Sequence, residues 1–335
     1  MIQNQSGFTG PGAAPRPEFD FDDVARTLRM PGKAAIEKHL PAVLRSIERD
    51  LAATPAGVLR NDLSRARDLA ATLSKSFVEG SKSKPVIAEA AVRPRPEAVA
   101  YGESLALSSL RIAVKAALQG AQRPTVLVDL DDTVFDASGR YIVCRRLMGE
   151  HYDLDTLRNA VRHHGSENDL QRAVAQEFEA KYPGRTAEEL ANEFSELADT
   201  LALVPGVDLV IPGAREYIHS LADAGAELVY LTARRELDAG ANAALLRATG
   251  FPFGQRASIY TRPHGEDIVA YKKRVSDKLL ATRTISAVLD DDGGQQKMFA
   301  EVLRESVRLT PRAGREDIER HLGGVLVDYT NDFHG

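Results

Sequence analysis

The stretch Thr125-Val126-Leu127-Val128, followed at once by Asp129-Leu130-Asp131-Asp132-Thr133, constrains the fold of this chain more than any other. Residues 125–128 are apolar or β-branched and carry no charge. They do not alternate with polar residues, so they read as a short strand covered on both faces rather than one half-exposed to water. A strand covered on both faces needs helices on either side of its sheet. Three carboxylates, Asp129, Asp131 and Asp132, then arrive where the strand would leave the sheet. In open α/β sheets ligands bind outside the carboxyl ends of the strands, so these acids fall where chemistry is expected.

Downstream, strand and helix patterns alternate. Pro212-Gly213 opens a helix after an apolar stretch, Val207 to Ile211. Glu227 to Leu231 reads as a second core strand ending in Thr232, and a helix over about 236–249 follows it. Ala257 to Tyr260 is a third strand and 267–281 a helix. Thr284 to Leu289 is a fourth strand, running into Asp290-Asp291-Asp292. A helix over 295–304, a strand over 306–309 and a last short helix and strand complete the chain. Such alternation predicts a doubly wound, Rossmann-like parallel sheet covered on both faces.

Upstream, residues 1–19 are punctuated by Gly and Pro and read as a disordered tail. From 20 to 120 the period is helical. Leu59, Leu63, Ala66, Ala70, Leu73 and Phe77 form one apolar stripe. Gly80 sits where a C-terminal cap would, and 81–96 reads as a linker. A second amphipathic helix carries Leu107, Leu110, Val114 and Leu118. This segment has no catalytic motif and nothing that names its partner; it reads as a helical module set before a core of residues 121–335. Between the first motif and the second strand lie roughly 90 residues, far above the crossover minimum of about a dozen. Candidate helices at 139–150, 154–164, 167–181 and 186–202 fill the gap.

Composition narrows the function. A formal net charge of -5 gives no basic excess for nonspecific nucleic-acid binding. The single cysteine, Cys144, rules out an internal disulfide and a cysteine-based metal cluster. No signal-peptide pattern opens the sequence, and no apolar run approaches membrane-spanning length, so a cytoplasmic protein with no membrane partner is expected.

Residues 121–310 resemble the haloacid dehalogenase superfamily, most of whose members are magnesium-dependent phosphatases. The likeness rests on four motifs in order: Asp129-Leu130-Asp131-Asp132-Thr133, then Thr232 after Leu228–Leu231, then a lysine in the 267–281 helix, then the 290–292 acids. It implies that Asp129 is the nucleophile, forming an aspartyl-phosphate that splits one hard displacement into two easier ones. Asp131 would protonate the leaving oxygen and later deprotonate water. Thr232 would donate to a phosphoryl oxygen, although the residue also suits an ordinary N-cap. Thr133 would brace the loop or serve as a plain turn residue. Of two lysines, Lys272 lies beside the buried face set by Ile268, Tyr271, Val275 and Leu279 at about 100° per residue, whereas Lys273 points away.

The cofactor implied is Mg2+, which prefers oxygen ligands. The resemblance assigns it to Asp129, the carbonyl of Asp131, and one of the 290–292 acids. Family practice puts Asp291 first and Asp290 second, leaving Asp292 as a helix cap. Three adjacent carboxylates repel one another unless a cation offsets them.

The 137–204 helices would be a cap inserted over the site, with Arg140, Arg145, Arg146, Arg158, His163 and His164 as candidate selectivity residues. Each of these also reads as an ordinary solvated helix charge. A looser likeness links Leu231-Thr232-Ala233-Arg234, Gly250-Phe251-Pro252, Tyr260-Thr261-Arg262-Pro263 and Tyr271-Lys272 to acid-phosphatase-like and polynucleotide 3′-phosphatase branches. The expected function is hydrolysis of a phosphorylated small molecule. A polynucleotide 3′-phosphatase and a non-catalytic interaction protein using the core as scaffold are the alternatives. No kinase P-loop is present.

Overall fold

The computed structural model describes residues 33–56, 58–78, 112, 114–118, 123–160, 167–202, 208–211, 213–303, 307–311 and 328–330. The expected tail, the 81–96 linker, Gly80, Leu107, Leu110 and the last short helix lie outside them.

Six parallel strands form the main sheet: β1 (Pro124–Val128), β4 (Glu227–Arg235), β5 (Ala257–Arg262), β6 (Thr284–Leu289), β7 (Val307–Pro311) and β8 (Asp328–Thr330). Their order across the sheet is β5-β4-β1-β6-β7-β8. The chain winds outward from β1 in one direction, then returns to β6 and winds in the other. The direction reverses between β1 and β6, and a crevice opens there at the carboxyl ends of the strands.

The period of two explains the unbroken apolar run. Val126 and Val128 face one cluster, with Leu228, Tyr230, Ile218, Leu221 and Leu246. Leu127 faces the other, with Val229, Leu231, Tyr271, Val275 and Phe299. Helices α7 (Ala214–Asp223) and α8 (Ala239–Ala248) cover the first face, and α9 (Ile268–Leu280) and α10 (Gly293–Val302) the second. All five residues of β1 are buried.

Of the apolar stretch before Pro212, the described residues 208–211 do not enter this sheet. Leu209–Val210 (β3) pairs antiparallel with Phe135–Asp136 (β2) in a two-stranded ribbon. The chain leaves the core through β2 and returns through β3, so the two segments meet as a neck and pair with each other. Between them lie α3 (Ser138–His151), α4 (Asp155–Asn159), α5 (Glu167–Lys181) and α6 (Ala187–Ala202). The second of these ends at Asn159, short of the expected 164; residues 161–166 lie outside the described set.

Helices α1 (Lys33–Ala53) and α2 (Val58–Val78) precede the core. The stripe read from sequence is their packing face: Leu63, Ala66, Ala70 and Leu73 are buried. What they pack against could not be read from it. Ile36, Leu40, Val43 and Ile47 of α1 join that stripe in one cluster with Ile142, Val143, Leu147, Phe178, Leu197 and Leu201 of α3, α5 and α6. The buried Arg146 of α3 pairs with Asp50 and donates to the Ser46 hydroxyl at 3.0 Å, fastening α1 to α3.

A chain beginning at residue 121 therefore uncovers the apolar face of α3. Such a fragment is expected to bind a hydrophobic dye and to lose the sharp melting transition of the full chain. Cooperative melting of a monomeric 121–335 fragment, followed by calorimetry, would show that the core needs no help from α1 and α2.

Candidate active site

The site is built on the β1–β6 pair. The Asp129 amide donates to the Leu289 carbonyl at 2.9 Å, extending the ladder one residue past both strands. Asp129 and Asp290 thus leave adjacent strands side by side. Residues 129–138 close into a tight loop. The amides of Val134 and Phe135 donate to the Leu130 carbonyl at 3.0 and 2.9 Å, and that of Asp132 to the Phe135 carbonyl at 2.7 Å. Asp132 sits at φ 53, in the left-handed region that asparagine and aspartate tolerate best among residues with a Cβ.

Lys272 reaches this point from α9. Its Nζ donates to Asp129 Oδ1 at 2.8 Å and to Asp290 Oδ2 at 2.7 Å, and the side chain is only 1% exposed. Lys273 points away, as expected, and pairs with Asp277 on the surface. Carboxylate oxygens of Asp129, Asp290 and Asp291 all lie within 4.8 Å of one another. Burial raises the pKa of Asp129 to about 7; Lys272 opposes this, while the charge of Asp290 reinforces it. Asp291 is raised well above the ordinary carboxylate range by burial, then by Asp132, Asp129 and Asp290. One ammonium facing three carboxylates leaves negative charge uncompensated. A hard divalent cation such as Mg2+ fits that oxygen donor set.

Thr133 ties the two acidic loops together. Its hydroxyl accepts from the Asp291 amide at 3.1 Å and donates to Asp291 Oδ1 at 3.3 Å, fully buried. Thr133 is thus a brace. Asp292 caps α10, accepting from the Gln295 amide at 2.8 Å. Thr232 lies inside β4, which runs on to Arg235, so it is not an N-cap. Its hydroxyl accepts the Arg234 amide at 3.3 Å.

Asp131 meets a group that sequence reasoning undervalued. Arg234 Nη2 lies 2.5 Å from Asp131 Oδ1, and Arg140 Nη2 lies 2.8 Å from the same oxygen. Both guanidiniums are buried, and both also reach Asp208, Arg234 at 2.9 Å and Arg140 at 3.3 Å. Asn242 accepts from Arg234 at 2.9 Å. Burial alone would raise the Asp131 pKa, but Arg140 and then Arg234 outweigh it and hold the group well below the usual carboxylate range. Asp208 keeps a raised pKa, about 6, because burial outweighs the same arginines. Two arginines and two carboxylates balance inside the neck of the cap.

Arg140 is therefore no solvated helix charge, and Asp208 went unnoticed altogether. The one legible signal was Arg234, a charge that closely follows the apolar run Leu228–Leu231. Arg146 and Arg158 are engaged away from the site. Arg146 serves α1, and Arg158 pairs with Glu150, Asp153 and Asp155. His163 and His164 lie outside the described residues.

No protein-family model matches the chain, and no curated protein matches it. Solved structures do. A hydrolase from Pseudomonas syringae is 13% identical, with 59% of this chain and 90% of that one covered, at a TM-score of 0.40. A Bacteroides vulgatus protein proposed to be a beta-phosphoglucomutase is 13% identical, covering 68% and 93%, at 0.42. A haloacid dehalogenase-like hydrolase from Xanthomonas campestris is 15% identical, covering 57% and 84%, at 0.34. The likeness to the haloacid dehalogenase superfamily stands on the chain's own geometry. The sheet is doubly wound, helices are inserted after the first strand, and Asp129, Lys272, Asp290 and Asp291 meet at the switch point. Among the described residues no helix is long and apolar enough to cross a membrane.

Replacing Lys272 by Met would leave Asp129 and Asp290 buried without a cation. Breaking a buried pair from one side costs roughly 3–5 kcal/mol, so the variant should melt well below the parent without added metal. Added Mg2+ should recover part of the loss. A melting temperature unchanged by the substitution would show that the carboxylates need no compensating charge.

Proposed function

We propose that this protein is a magnesium-dependent phosphomonoester hydrolase that works through an aspartyl-phosphate on Asp129. The observation that carries the reading is the Lys272 bridge between Asp129 and Asp290, with the Asp291 carboxylate in reach of both. A phosphoryl group repels an anionic nucleophile, and such a site brings compensating charge to the point of attack. Asp129, Asp290 and Asp291, with the carbonyl of Asp131, would hold Mg2+. The cation, when bound, supplies charge neutralisation for the transferring phosphoryl oxygens.

Lys272 keeps Asp129 oriented and offsets its charge. Asp129 attacks phosphorus, the bond to the leaving oxygen breaks, and water later hydrolyses the aspartyl-phosphate. The Thr232 hydroxyl, buried within β4, is the donor proposed for a phosphoryl oxygen. Asp131 is proposed to take the water's proton and, in the first step, to give one to the leaving oxygen. Held by Arg140 and Arg234 it rests as a carboxylate of weakened basicity, so proton uptake also needs those contacts to relax. Donation requires that those two contacts loosen as the substrate binds. The cytoplasm is the compartment proposed.

The two alternatives gain no specific support. A polynucleotide 3′-phosphatase needs a basic groove leading to Asp129, and the nearby Arg140, Arg234 and Arg235 are buried and paired with carboxylates. A scaffold without catalysis has no use for a buried lysine between two carboxylates.

Chelation of divalent cations should abolish turnover and lower the melting temperature, since a ligand bound only by the folded state stabilises it by about 2.7 kcal/mol at 100 times its Kd. Asp291→Asn should blunt both effects. Full activity in chelator would overturn the metal assignment.

Asp129→Asn should abolish turnover of every phosphomonoester and leave no trapped phosphoenzyme. Asp131→Asn should lose about 10²–10⁴-fold on alkyl phosphates and much less on p-nitrophenyl phosphate, whose anion departs unaided. Equal losses on both, with no phosphoenzyme accumulating, would remove Asp131 from proton transfer.

A further inference from the structure

We propose that helix α2 positions the reacting loop: Arg65 and Asp62, outside the phosphatase core, hold Asp136 and Ser138 and so fix the far end of the segment carrying Asp129 and Asp131. This rests on the reading of residues 129–133 as the reacting loop.

Arg65 makes an ion pair with Asp136, the second residue of β2, and its Nη1 lies 3.6 Å from Asp62. The Asp62 carboxylate, on a residue only 1% exposed, accepts from the Ser138 hydroxyl at 2.9 Å. Asp136 accepts from the Ser138 amide at 3.2 Å and lies 2.5 Å from its hydroxyl, so it satisfies the first turn of α3. Two buried carboxylates thus share one arginine and one serine. Removing the guanidinium takes away the cation that lies between them.

The backbone makes the same junction. A Cβ added at Gly139 would stand 3.0 Å from Arg65 Cβ and 3.1 Å from the Ala66 amide nitrogen. Any side chain there would push α2 away by a few tenths of an ångström, so glycine suits this close approach to the first turn of α3. From there the connection to the chemistry is short. The Ala137 amide donates to Asp132 Oδ1 at 3.1 Å, and Asp132, in its left-handed conformation, is held by the Phe135 carbonyl. Residues 129–138 are one hydrogen-bonded unit with β1 and β6 at one end and α2 at the other. Arg65 and Asp62 touch no reacting atom in this arrangement; they are positioning residues.

A second pair on the same interface supplies the comparison. Asp50 of α1 binds Arg146 in the middle of α3, away from the neck. If α1 and α2 act only by packing, losing either pair should have the same consequence. The test uses the full chain with Arg65→Gln, Arg65→Lys and Asp50→Asn. Steady-state kinetics on p-nitrophenyl phosphate and hydrogen exchange of residues 130–138 are measured for each.

Arg65→Gln is expected to lower kcat by roughly 10- to 100-fold, the scale on which misplacing a reacting group by about 1 Å acts, with little change in KM. Exchange across 130–138 should quicken in parallel. Arg65→Lys should recover most of kcat. Asp50→Asn should lower the melting temperature but leave kcat and the exchange of 130–138 as in the parent. Arg65 is about one-third exposed on its side chain, so its substitution leaves the α2 core contacts in place. Equal kcat losses in Arg65→Gln and Asp50→Asn, or unchanged exchange across 130–138 in Arg65→Gln, would overturn the proposal. A parent protein inactive on every phosphomonoester would defeat the phosphatase reading, and the exchange measurement would still decide the role of Arg65.

Discussion

The ammonium of Lys272, held between Asp129 and Asp290 beneath the surface, is the contact on which the rest of the site depends. Carboxylates leaving adjacent parallel strands are forced together by the strand spacing, and burial removes the water that would screen them. One ammonium cannot neutralise three such groups. The fold therefore keeps a local negative excess that a divalent cation fits, and it does so by bringing Asp129 to Lys272 and Asp290, more than a hundred residues further along the chain. Thr133 completes the arrangement by joining the first acidic loop to the last, so the two cannot move independently.

A few ångströms away the opposite problem is solved differently. Arg140 and Arg234 neutralise Asp131 and Asp208 within the protein itself. Buried pairs of this kind contribute little net stability, but they specify geometry. They come from the first motif, the first cap helix, the return strand of the neck and β4. The cap and the core are thereby joined at the residue proposed to handle protons. Two carboxylates only two residues apart in sequence are given different electrostatic surroundings: Asp129 is raised by burial, and Asp131 is held down by guanidiniums.

The N-terminal helices show how far function can depend on residues without a chemical signature. Their stripe of Leu63, Ala66, Ala70 and Leu73 reads as generic amphipathic packing, which it is. Its partner is α3, the helix that leaves the reacting loop. Asp62 and Arg65 lie at helical spacing, and in sequence they look like any surface ion pair. Only the approach permitted by Gly139 brings them to Asp136 and Ser138.

By itself the sequence determined the strands that form the β1, β4, β5 and β6 ladder and the doubly wound class. These depend on local patterns: unbroken apolar runs, turn residues, and acids at strand ends. It also separated Lys272 from Lys273, because helical period alone puts one on the buried side. The tertiary structure decided the charge partners of Asp131, the removal of residues 209–210 from the main sheet, and the union of α1 and α2 with the cap. It also decided that Arg140 is a buried clamp instead of a solvated charge. Each of these depends on contacts between separate elements, up to about a hundred residues apart in the ion pairs. No local period encodes such a contact, because the same arginine on the same amphipathic helix is solvated or buried according to what the rest of the chain lays over it.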